Sequence, residues 1–366
     1  MSAPLDLPRW ADLGLVPALS VAAAFGVAGL VVLGIGENPL VTTRVLIQGS
    51  LGTGEGLGFT LFYATNFIFA GLAVAVAYHA GLFNIGGEGQ ATLAGLGVAL
   101  ACLYLPARLP AVLMIPAGIL AGALFGALWA LIPGYLQAKR GSHIVITTIM
   151  FNWLASVLMV YLLVNVMREP GTMNPETRAF PPAAQIPFVH ELLGLETARS
   201  QLNLSLLLAL AAAVGVWLLI YRSRLGYAIR TVGANPTAAL YAGIRPERII
   251  VIAMAISGAL AGGLAVNELM GYHHRLLLEF TSGYGFVGIA VALMGRAHPA
   301  GIVLASLLFG VLYQGGAELA FEQPAITRDM VVVIGGVIIL FAGALDGLFR
   351  RFAARLLAPR ARPAEA

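Results

Sequence analysis

Uncharged, apolar stretches recur along this chain, and charged or proline-rich segments separate them. A helix needs about 20 mostly apolar residues to cross the hydrocarbon core of a bilayer. The pattern predicts about ten such helices, at residues 16–36, 59–78, 89–106, 111–136, 143–166, 203–222, 249–270, 283–295, 299–320 and 328–349. The stretches at 89–106 and 283–295 are short and rich in glycine. The sequence therefore predicts an all-α protein, a polytopic transmembrane bundle with interrupted helices.

The composition supports a lipid environment for most of the chain. Hydrophobic residues make up 59% of the 366 residues and charged residues only 10%, whereas a soluble domain carries about 25% charged residues. The net charge of +4 is spread over segment ends and forms no basic face, so we expect no nucleic-acid partner. The 44 glycines and 19 prolines are typical of closely packed and interrupted membrane helices.

Lysine and arginine placement predicts the orientation, because these residues accumulate in cytosolic loops. With both termini in the cytosol, the cytosolic segments hold most of the 21 basic residues. These residues are Arg9, Lys139, Arg140, Arg222, Arg224, Arg230, Arg245, Arg248, Arg296, Arg350, Arg351, Arg355, Arg360 and Arg362. We therefore treat residues 1–366 as a single transmembrane domain with an external loop at 167–202 and a cytosolic segment at 222–248.

The chain offers no catalytic or metal site that its spacing supports. Lys139 is not preceded by glycine as the phosphate-binding loop of an ATPase requires. His190 and Glu191 begin a zinc-protease pattern, but the second histidine is missing. Cys102 is the only cysteine, which excludes a disulfide framework. We expect neither a cofactor nor a metal to be held by this chain.

The first informative segment is residues 80–90, with the sequence AGLFNIGGEGQ. Four glycines in eleven residues disfavour a regular helix, and Asn84, Glu88 and Gln90 are costly between two apolar stretches. One interpretation is a cytosolic turn between two spans. The other is a broken helix beside a transport route, since irregular backbone at membrane depth must be buried in protein or line a cavity.

A similar interruption occurs in the second half of the chain, at residues 282–301. Each interruption follows one long span and leads through a short segment into another long span. The second to fifth and the seventh to tenth spans are therefore candidates for internal repeats of opposite orientation.

The second informative segment lies between the predicted sixth and seventh spans. Asn235 is a suitable N-cap, Pro236 suits the first helical position, and Gly243 suits the position after the C-cap. The two helical turns between them are too short to be stable alone. The helix must therefore pack on something, with Leu240 and Tyr241 as candidate anchors. It either lies flat against its own bundle or docks into a soluble partner.

Three segments carry a specific resemblance: GLFNIGGEGQ, RSRLGYAIRTVGANPTAALYAGI and GYGFVGIAVALMGRAHPAG. They resemble permease subunits of bacterial ABC importers in the branched-chain amino acid and simple-sugar permease family, above all the nucleoside or simple-sugar permeases. The resemblance extends from about residue 16 to residue 350. It implies a bacterial cytoplasmic membrane location and alternating access, which moves a nucleoside or simple sugar without chemistry on it.

The resemblance also implies partners and functional residues. The partners are a second homologous permease, a cytosolic ABC ATPase that binds ATP and magnesium, a periplasmic or lipid-anchored substrate-binding protein, and membrane lipid. The residues implied in coupling to the ATPase are Arg224, Arg230, Asn235, Pro236, Ala238, Ala239, Leu240, Tyr241 and Gly243. Polar residues of the spans, with aromatic neighbours for stacking, are the candidates for the substrate pathway: Asn66, Phe83, Asn84, Glu88, Gln90, Asn152 and Trp153.

Two alternatives to a nucleoside or sugar importer remain open at this point. One is an ABC permease for branched-chain amino acids. The other is an ion-coupled secondary transporter, which would favour paired carboxylates inside the membrane. Glu88 and Glu268 are predicted on opposite membrane sides, and Asn267 and Glu268 are expected to reach the headgroup region.

Overall fold

The architecture is that of a computed structural model, which describes residue 8 and residues 11–106, 108–194, 199–323 and 326–357. The α-helices are α1 (Val16–Ile35), α2 (Pro39–Leu51), α3 (Gly54–His79), α4 (Gly87–Tyr104), α5 (Ala111–Arg140), α6 (Ile144–Leu162), α7 (Val189–Leu193), α8 (Ser205–Arg222), α9 (Arg224–Ala234), α10 (Pro236–Tyr241), α11 (Pro246–Ala265), α12 (Tyr284–Met294), α13 (Pro299–Glu322) and α14 (Arg328–Leu357). A π-helical segment precedes α1 (Ala11–Leu15), and two others extend α6 (Leu163–Met167) and α11 (Val266–His273). The described residues contain two isolated β-bridges and no strand.

Each of the ten predicted apolar stretches coincides with a helix. Seven helices within the described residues are long and apolar enough to cross a membrane: α1, α3, α5, α6, α8, α11 and α13. Helix α12 is apolar but only 11 residues long. Helix α4 contains the other of the two apolar stretches that are short and rich in glycine. The helical class is thus confirmed, and a total of ten crossings stays a prediction.

The chain divides into two compact units, residues 1–49 with 312–366 and residues 50–311. In the smaller unit α1 packs along α14, and Thr42 Oγ1 donates to Gln323 Oε1 at 3.1 Å. The predicted cytosolic ends of the chain, with Arg360 and Arg362, lie outside the described residues. The larger unit holds all the candidate site residues.

Helix α3 forms the centre of the larger unit, where most of its residues are buried among α8, α11 and α12. A helix that is apolar on every side suits such a position. Beside it, α5 and α11 cross at a glycine contact. A Cβ atom on Gly126 would lie 2.2 Å from the carbonyl oxygen of Gly258, and one on Gly262 would lie 2.8 Å from that of Gly122. Small residues at four-residue spacing let the two backbones touch, as in other membrane helix pairs.

Most basic residues of the larger unit collect at one of its ends. Lys139, at the end of α5, pairs with Glu247 at the start of α11. At the same end, the ring of His79 lies 5.9 Å from the ring of Tyr221, and the guanidinium of Arg230 lies 5.6 Å from that Tyr221 ring. The ends of α3, α5 and α8 and the start of α11 therefore share one face, as the arginine distribution predicts.

The proline-rich segment 167–202 lies at the other end of α11. It contains a 3₁₀ turn (Pro182–Ala184) and α7, and its backbone follows the end of α11. The amide of Ile186 donates to the carbonyl of Met270 at 2.8 Å, and the amide of Phe180 donates to the carbonyl of His274 at 2.7 Å. Burial beneath this segment lowers the pKa of His274. The segment is a small cap on this end of the bundle, and its external location stays a prediction.

The separation of these two ends predicts opposite labelling of two exposed positions. We expect a membrane-impermeant maleimide to label Met173→Cys in intact cells, because Met173 is 96% exposed in the cap. Arg248→Cys, exposed at the basic end, should label only after permeabilisation. Both variants are made with Cys102→Ala, and that background alone is the control. Labelling of both positions in intact cells would contradict the predicted topology.

Candidate functional site

The starts of α4 and α12 meet inside the larger unit and are joined by one carboxylate. Glu88 lies in the first turn of α4. Its Oε1 accepts hydrogen bonds from Thr281 Oγ1 at 2.5 Å and from the amide of Gly283 at 2.9 Å. Its Oε2 accepts from the amide of Gly285 at 2.8 Å. The first amides of a helix have no acceptor within the helix. Glu88 therefore supplies hydrogen-bond acceptors for amides at the start of α12.

Glycine is required where the two helix starts touch. A Cβ atom on Gly285 would lie 2.4 Å from the amide nitrogen of Glu88 and 2.6 Å from its Cα. On the next turn of α12, a Cβ atom on Gly288 would lie 2.4 Å from the Cβ and 2.7 Å from the carbonyl carbon of Ala70 on α3. The approach of α12 to both α3 and α4 is therefore set by backbone atoms.

The interruption between α3 and α4 is shorter than the sequence predicts. Residues 80–86 are not helical, which confirms the predicted break. The prediction is wrong for Gly87 and Glu88, which form the first turn of α4 together with residues 89 and 90, where the predicted span begins. A first turn is not yet closed by backbone acceptors on its N-terminal side, so glycines are tolerated there at low cost.

Asn84 and Gln90 form a buried amide pair across this break. Asn84 Nδ2 donates to Gln90 Oε1 at 3.1 Å and to Ser257 Oγ at 2.8 Å. Asn84 Oδ1 accepts from Gln90 Nε2 at 3.2 Å and from the amide of Gly86 at 2.8 Å. Ser257 on α11 in turn donates to the carbonyl of Ala73 on α3 at 2.6 Å. The pair thereby ties α4 to α3 and α11, and both side chains are 1% exposed.

Asn152 links α6 to the same break. Its Oδ1 accepts from the amide of Gly89 at 2.9 Å, and its Nδ2 donates to the carbonyl of Ile85 at 3.0 Å. Trp153, the next residue, is 68% exposed, and Phe83 is half-buried. The structure thus brings Asn84, Glu88, Gln90 and Asn152 into one region, with α6 presenting an aromatic side chain outward.

Asn66 belongs to a second polar cluster near the cap. Its Nδ2 donates to Glu268 Oε1 at 2.5 Å, and its Oδ1 accepts from Asn267 Nδ2 at 2.8 Å. Asn203 Nδ2 donates to Asn267 Oδ1 at 3.0 Å, and His273 Nε2 lies 3.4 Å from Glu268 Oε2. Asn66 is therefore separated from the other predicted pathway residues and holds α3 against the π-helical end of α11.

The expectation that Asn267 and Glu268 reach the headgroup region is wrong. The two side chains are only 1% and 3% exposed, because the π-helical turn directs both of them inward and the cap covers this end. The available signal was the consecutive pair of polar residues inside an otherwise apolar span, which is costly unless partners are present.

Helix α10 begins and ends where the sequence predicts. Asn235 Oδ1 accepts from the amides of Thr237 at 2.9 Å and Ala238 at 3.0 Å, and Pro236 is the first helical residue. Gly243 follows the C-cap with a φ of +77°. The N-cap, the proline and the terminal glycine are confirmed.

The outer face of α10 is apolar and exposed. Leu240 is 59% exposed and Tyr241 is 91% exposed, whereas Ala239 is fully buried. Ala239 occupies the inward position of this short helix, so neither of the candidate anchors Leu240 and Tyr241 packs on the described part of its own bundle. Ala238 is also exposed, so the helix presents a surface that the described residues leave uncovered.

The residues before α10 touch the break between α3 and α4. A Cβ atom on Gly233 would lie 2.2 Å from the carbonyl oxygen of His79 and 2.9 Å from the amide nitrogen of Gly81. Gly81 has a φ of +76° and faces the Cα of Gly233. Two backbone segments are therefore in direct contact. Gly233 lies three residues before α10 begins, and Gly81 lies seven residues before Glu88.

Arg224 and Arg230 lie on α9 rather than on α10. Both are exposed, and Arg230 stacks over Tyr221 of α8. Within the described part of the chain, no group of three or more histidine, cysteine, aspartate or glutamate side chains is placed to hold a metal ion.

Comparisons with known proteins show that this chain is similar to membrane permeases. A family model described as "Branched-chain amino acid transport system / permease component" matches residues 56–343. The glucose ABC transporter permease protein TsgB13 of Haloferax volcanii is 36% identical over 92% of this chain and 88% of its own length. The nucleoside ABC transporter permease protein NupB of Lactococcus lactis is 32% identical over 96% and 95%. The guanosine ABC transporter permease protein NupP of Bacillus subtilis is 33% identical over 90% and 93%.

The three hydrogen bonds to Glu88 predict the effect of Glu88→Gln. An amide has one acceptor oxygen and brings an NH₂ group towards backbone amides, so at least one donor loses its partner. Such a loss costs about 1–3 kcal/mol. We expect a lower unfolding temperature in detergent and faster hydrogen exchange at residues 283–287.

Glu55→Gln is the matched control, because Glu55 also lies in the first turn of a long helix but is exposed. It should leave both measurements unchanged. Unchanged stability and exchange in Glu88→Gln would show that the carboxylate does not hold the start of α12.

Proposed function

This chain belongs to the branched-chain amino acid transport system / permease component family, and we propose that it is the membrane-spanning subunit of an ATP-driven importer. The subunit moves its substrate across a bacterial cytoplasmic membrane by alternating access. The observation that carries this proposal is α10, a capped helix with an exposed apolar face, in a chain that aligns with named ABC permeases over most of their length.

The proposed substrate is a nucleoside or a simple sugar. The relatives with more than 30% identity are named for glucose, nucleosides and guanosine. The family description names branched-chain amino acids, which therefore remain the second candidate. Uptake of labelled guanosine, glucose and leucine by cells that express the complete system distinguishes these substrates, and transport of leucine alone would reject the proposal.

The proposed ATPase docking surface is the exposed face of α10. Ala238, Leu240 and Tyr241 are exposed there, while the cap of Asn235, Pro236 and Gly243 fixes both ends and Ala239 seats the helix on the chain. Tyrosine is among the side chains that supply much of the binding energy at the centre of an interface when a partner covers it, and covering Leu240 adds buried apolar area. Arg224 and Arg230 flank this surface at the same end of the unit. ATP and magnesium are bound by the partner ATPase.

The proposed transmission route runs from α10 to the two interrupted helices. Displacement of α10 moves Gly233, which is in backbone contact with His79 and Gly81. The segment that starts at Gly81 leads to Glu88, and Glu88 holds the start of α12. For the ATPase to be coupled to the substrate pathway through these packed elements, the break must have two discrete arrangements. We assign one of them to the outward-open state of the permease and the other to the inward-open state.

We place the substrate pathway beside this junction. Phe83, Glu88, Asn152 and Trp153 are at least partly accessible and offer stacking and hydrogen-bonding groups. Asn84 and Gln90 are buried and already paired, so their proposed role is to hold the break in shape. Asn66 has the same role near the cap. The aromatic side chain of Trp153 is directed out of the subunit, which suits a pathway that a second homologous permease completes.

The remaining parts of the proposal concern assembly and symmetry. A substrate-binding protein, periplasmic or anchored to lipid, delivers the ligand to the cap side, and both termini lie in the cytosol after ten crossings. The meeting of α4 and α12 at their starts supports an inverted internal repeat, because each of them follows one of the two interruptions. An ion-coupled secondary mechanism is less well supported, since Glu88 and Glu268 belong to separate clusters and each already has hydrogen-bond donors.

The docking surface predicts the effect of removing its two large side chains. Leu240→Ser combined with Tyr241→Ser should leave the chain inserted in the membrane but reduce co-purification of the ATPase at least tenfold, because interface anchors typically contribute 2 kcal/mol or more. Ala238→Trp should have the same effect through overlap with the partner. Tyr135→Ser is the control, since Tyr135 is 52% exposed on α5. Full ATPase recovery with both docking variants would refute this surface.

The backbone contact at Gly233 predicts an uncoupled variant. The methyl group of Gly233→Ala would overlap the carbonyl of His79 and push α9 away from the break, while the outer face of α10 stays intact. We expect normal ATPase co-purification with uptake reduced at least tenfold. Gly215→Ala on α8 is the matched control, because a Cβ atom there meets nothing within 4 Å. Normal uptake in Gly233→Ala would reject this transmission route.

A further inference from the structure

A cleft of about 500 Å³ lies where α8, α9 and the segment after α10 come together. Three arginines, two tyrosines and an isoleucine form most of its wall: Arg222, Arg224, Arg230, Tyr221, Tyr227 and Ile244. The cleft is open to the outside and contains no carboxylate among its lining residues. It therefore concentrates positive charge in one place.

These arginines have no acidic partner among the ion pairs of the described residues. Two of them are instead held by aromatic rings. The guanidinium of Arg222 lies 5.3 Å from the Trp217 ring centroid, and that of Arg230 lies 5.6 Å from the Tyr221 ring centroid. A guanidinium stacked on its face keeps its N–H edge available for a bidentate bond to a phosphate or carboxylate.

The cleft lies at the level where α8 leaves the apolar region. Arg222 is the last residue of this candidate span. Leu207, Val214 and Leu218 precede it at helical spacing and are exposed, so an apolar stripe leads along α8 up to the arginines. From Leu207 to Leu218 the helix rises by about 16 Å at ~1.5 Å per residue. This length is close to one leaflet of a hydrocarbon core about 30 Å thick.

We propose that this cleft binds the headgroup of an anionic phospholipid from the adjacent leaflet. The phosphate accepts hydrogen bonds from Arg222, Arg224 and Arg230, and an acyl chain follows the stripe on α8. Tyr221, Tyr227 and Trp217 occupy the interfacial level that aromatic side chains favour. Because Ile244 closes the cleft just after α10, the bound lipid also contacts the segment that ends the docking helix.

The apolar stripe distinguishes the lipid from the other anions that three arginines accept. A free phosphate ion or an acidic segment of a partner protein accepts hydrogen bonds from the guanidinium groups, but it does not cover the continuous apolar surface that leads to them along α8. A phospholipid uses both features at once. The proposal requires that α8 spans the membrane but not that the chain transports anything, so its failure leaves the proposed function unaffected.

The test is a lipid titration of the purified full-length chain in detergent, followed by native mass spectrometry. The lipids are phosphatidylglycerol and phosphatidylcholine of the same chain length. We expect wild type to prefer phosphatidylglycerol, and the triple variant Arg222→Gln, Arg224→Gln, Arg230→Gln to bind it about 100-fold more weakly. This expectation follows from a loss of about fivefold for each basic residue near an anionic lipid surface.

The matched control replaces three exposed basic residues at the same end of the unit that do not line the cleft: Arg140→Gln, Arg245→Gln and Arg248→Gln. An equal loss in this control would overturn the proposal, because the effect would then be surface charge alone. Displacement of phosphatidylglycerol by millimolar inorganic phosphate would overturn the lipid assignment. A triple variant that binds phosphatidylglycerol as wild type does, but loses the co-purified ATPase, would also overturn it. If the triple variant does not insert into the membrane, the single variants Arg224→Gln and Arg248→Gln are compared instead. We expect Arg224→Gln to bind phosphatidylglycerol about fivefold more weakly than Arg248→Gln does, and equal binding by the two would overturn the proposal.

Discussion

The carboxylate of Glu88 accepts hydrogen bonds from three donors that the meeting of two interrupted helices would otherwise leave unpaired. An unpaired donor at membrane depth costs several kcal/mol, so α4 and α12 can begin inside the bundle only if something supplies acceptors there. Gly285 and Gly288 permit the close approach, and Asn84, Gln90 and Asn152 complete the bonding around the break. The position of α12 against α3 and α4 therefore depends on one acidic side chain in the first turn of α4.

The features that could be predicted from the sequence are those that local chemistry determines. Apolar stretches coincide with helices because lipid requires every backbone group to be paired within its own segment. Asn235, Pro236 and Gly243 fix α10 because capping acts over a few residues. The partners of Glu88 were not predictable, since Thr281 lies 193 residues further along the chain. The burial of Asn267 and Glu268 likewise depends on a π-helical turn and on the cap, neither of which follows from hydropathy.

Two polar clusters lie at different depths of the larger unit, and each joins α3 to α11. Near the break the connection runs through Ser257 and the carbonyl of Ala73, and near the cap it runs through Asn66 and Asn267. Between the clusters, α11 is held against α5 by the glycine contact. Helices that are pinned at two levels move as one body. Under the proposed function, the freedom for a change of access therefore lies in the breaks at residues 80–86 and 274–283 and in the segments that they join.

The contact between Gly233 and the backbone of His79 and Gly81 has no side chain on either surface that could carry chemical identity. In the proposed transmission route, this contact passes on displacement through shape alone. On that proposal, the residues that contact the substrate can change while the coupling to the ATPase stays the same, provided that both glycines persist. Substrate recognition and ATPase coupling are then separable properties of this chain, and a change in one does not require a change in the other.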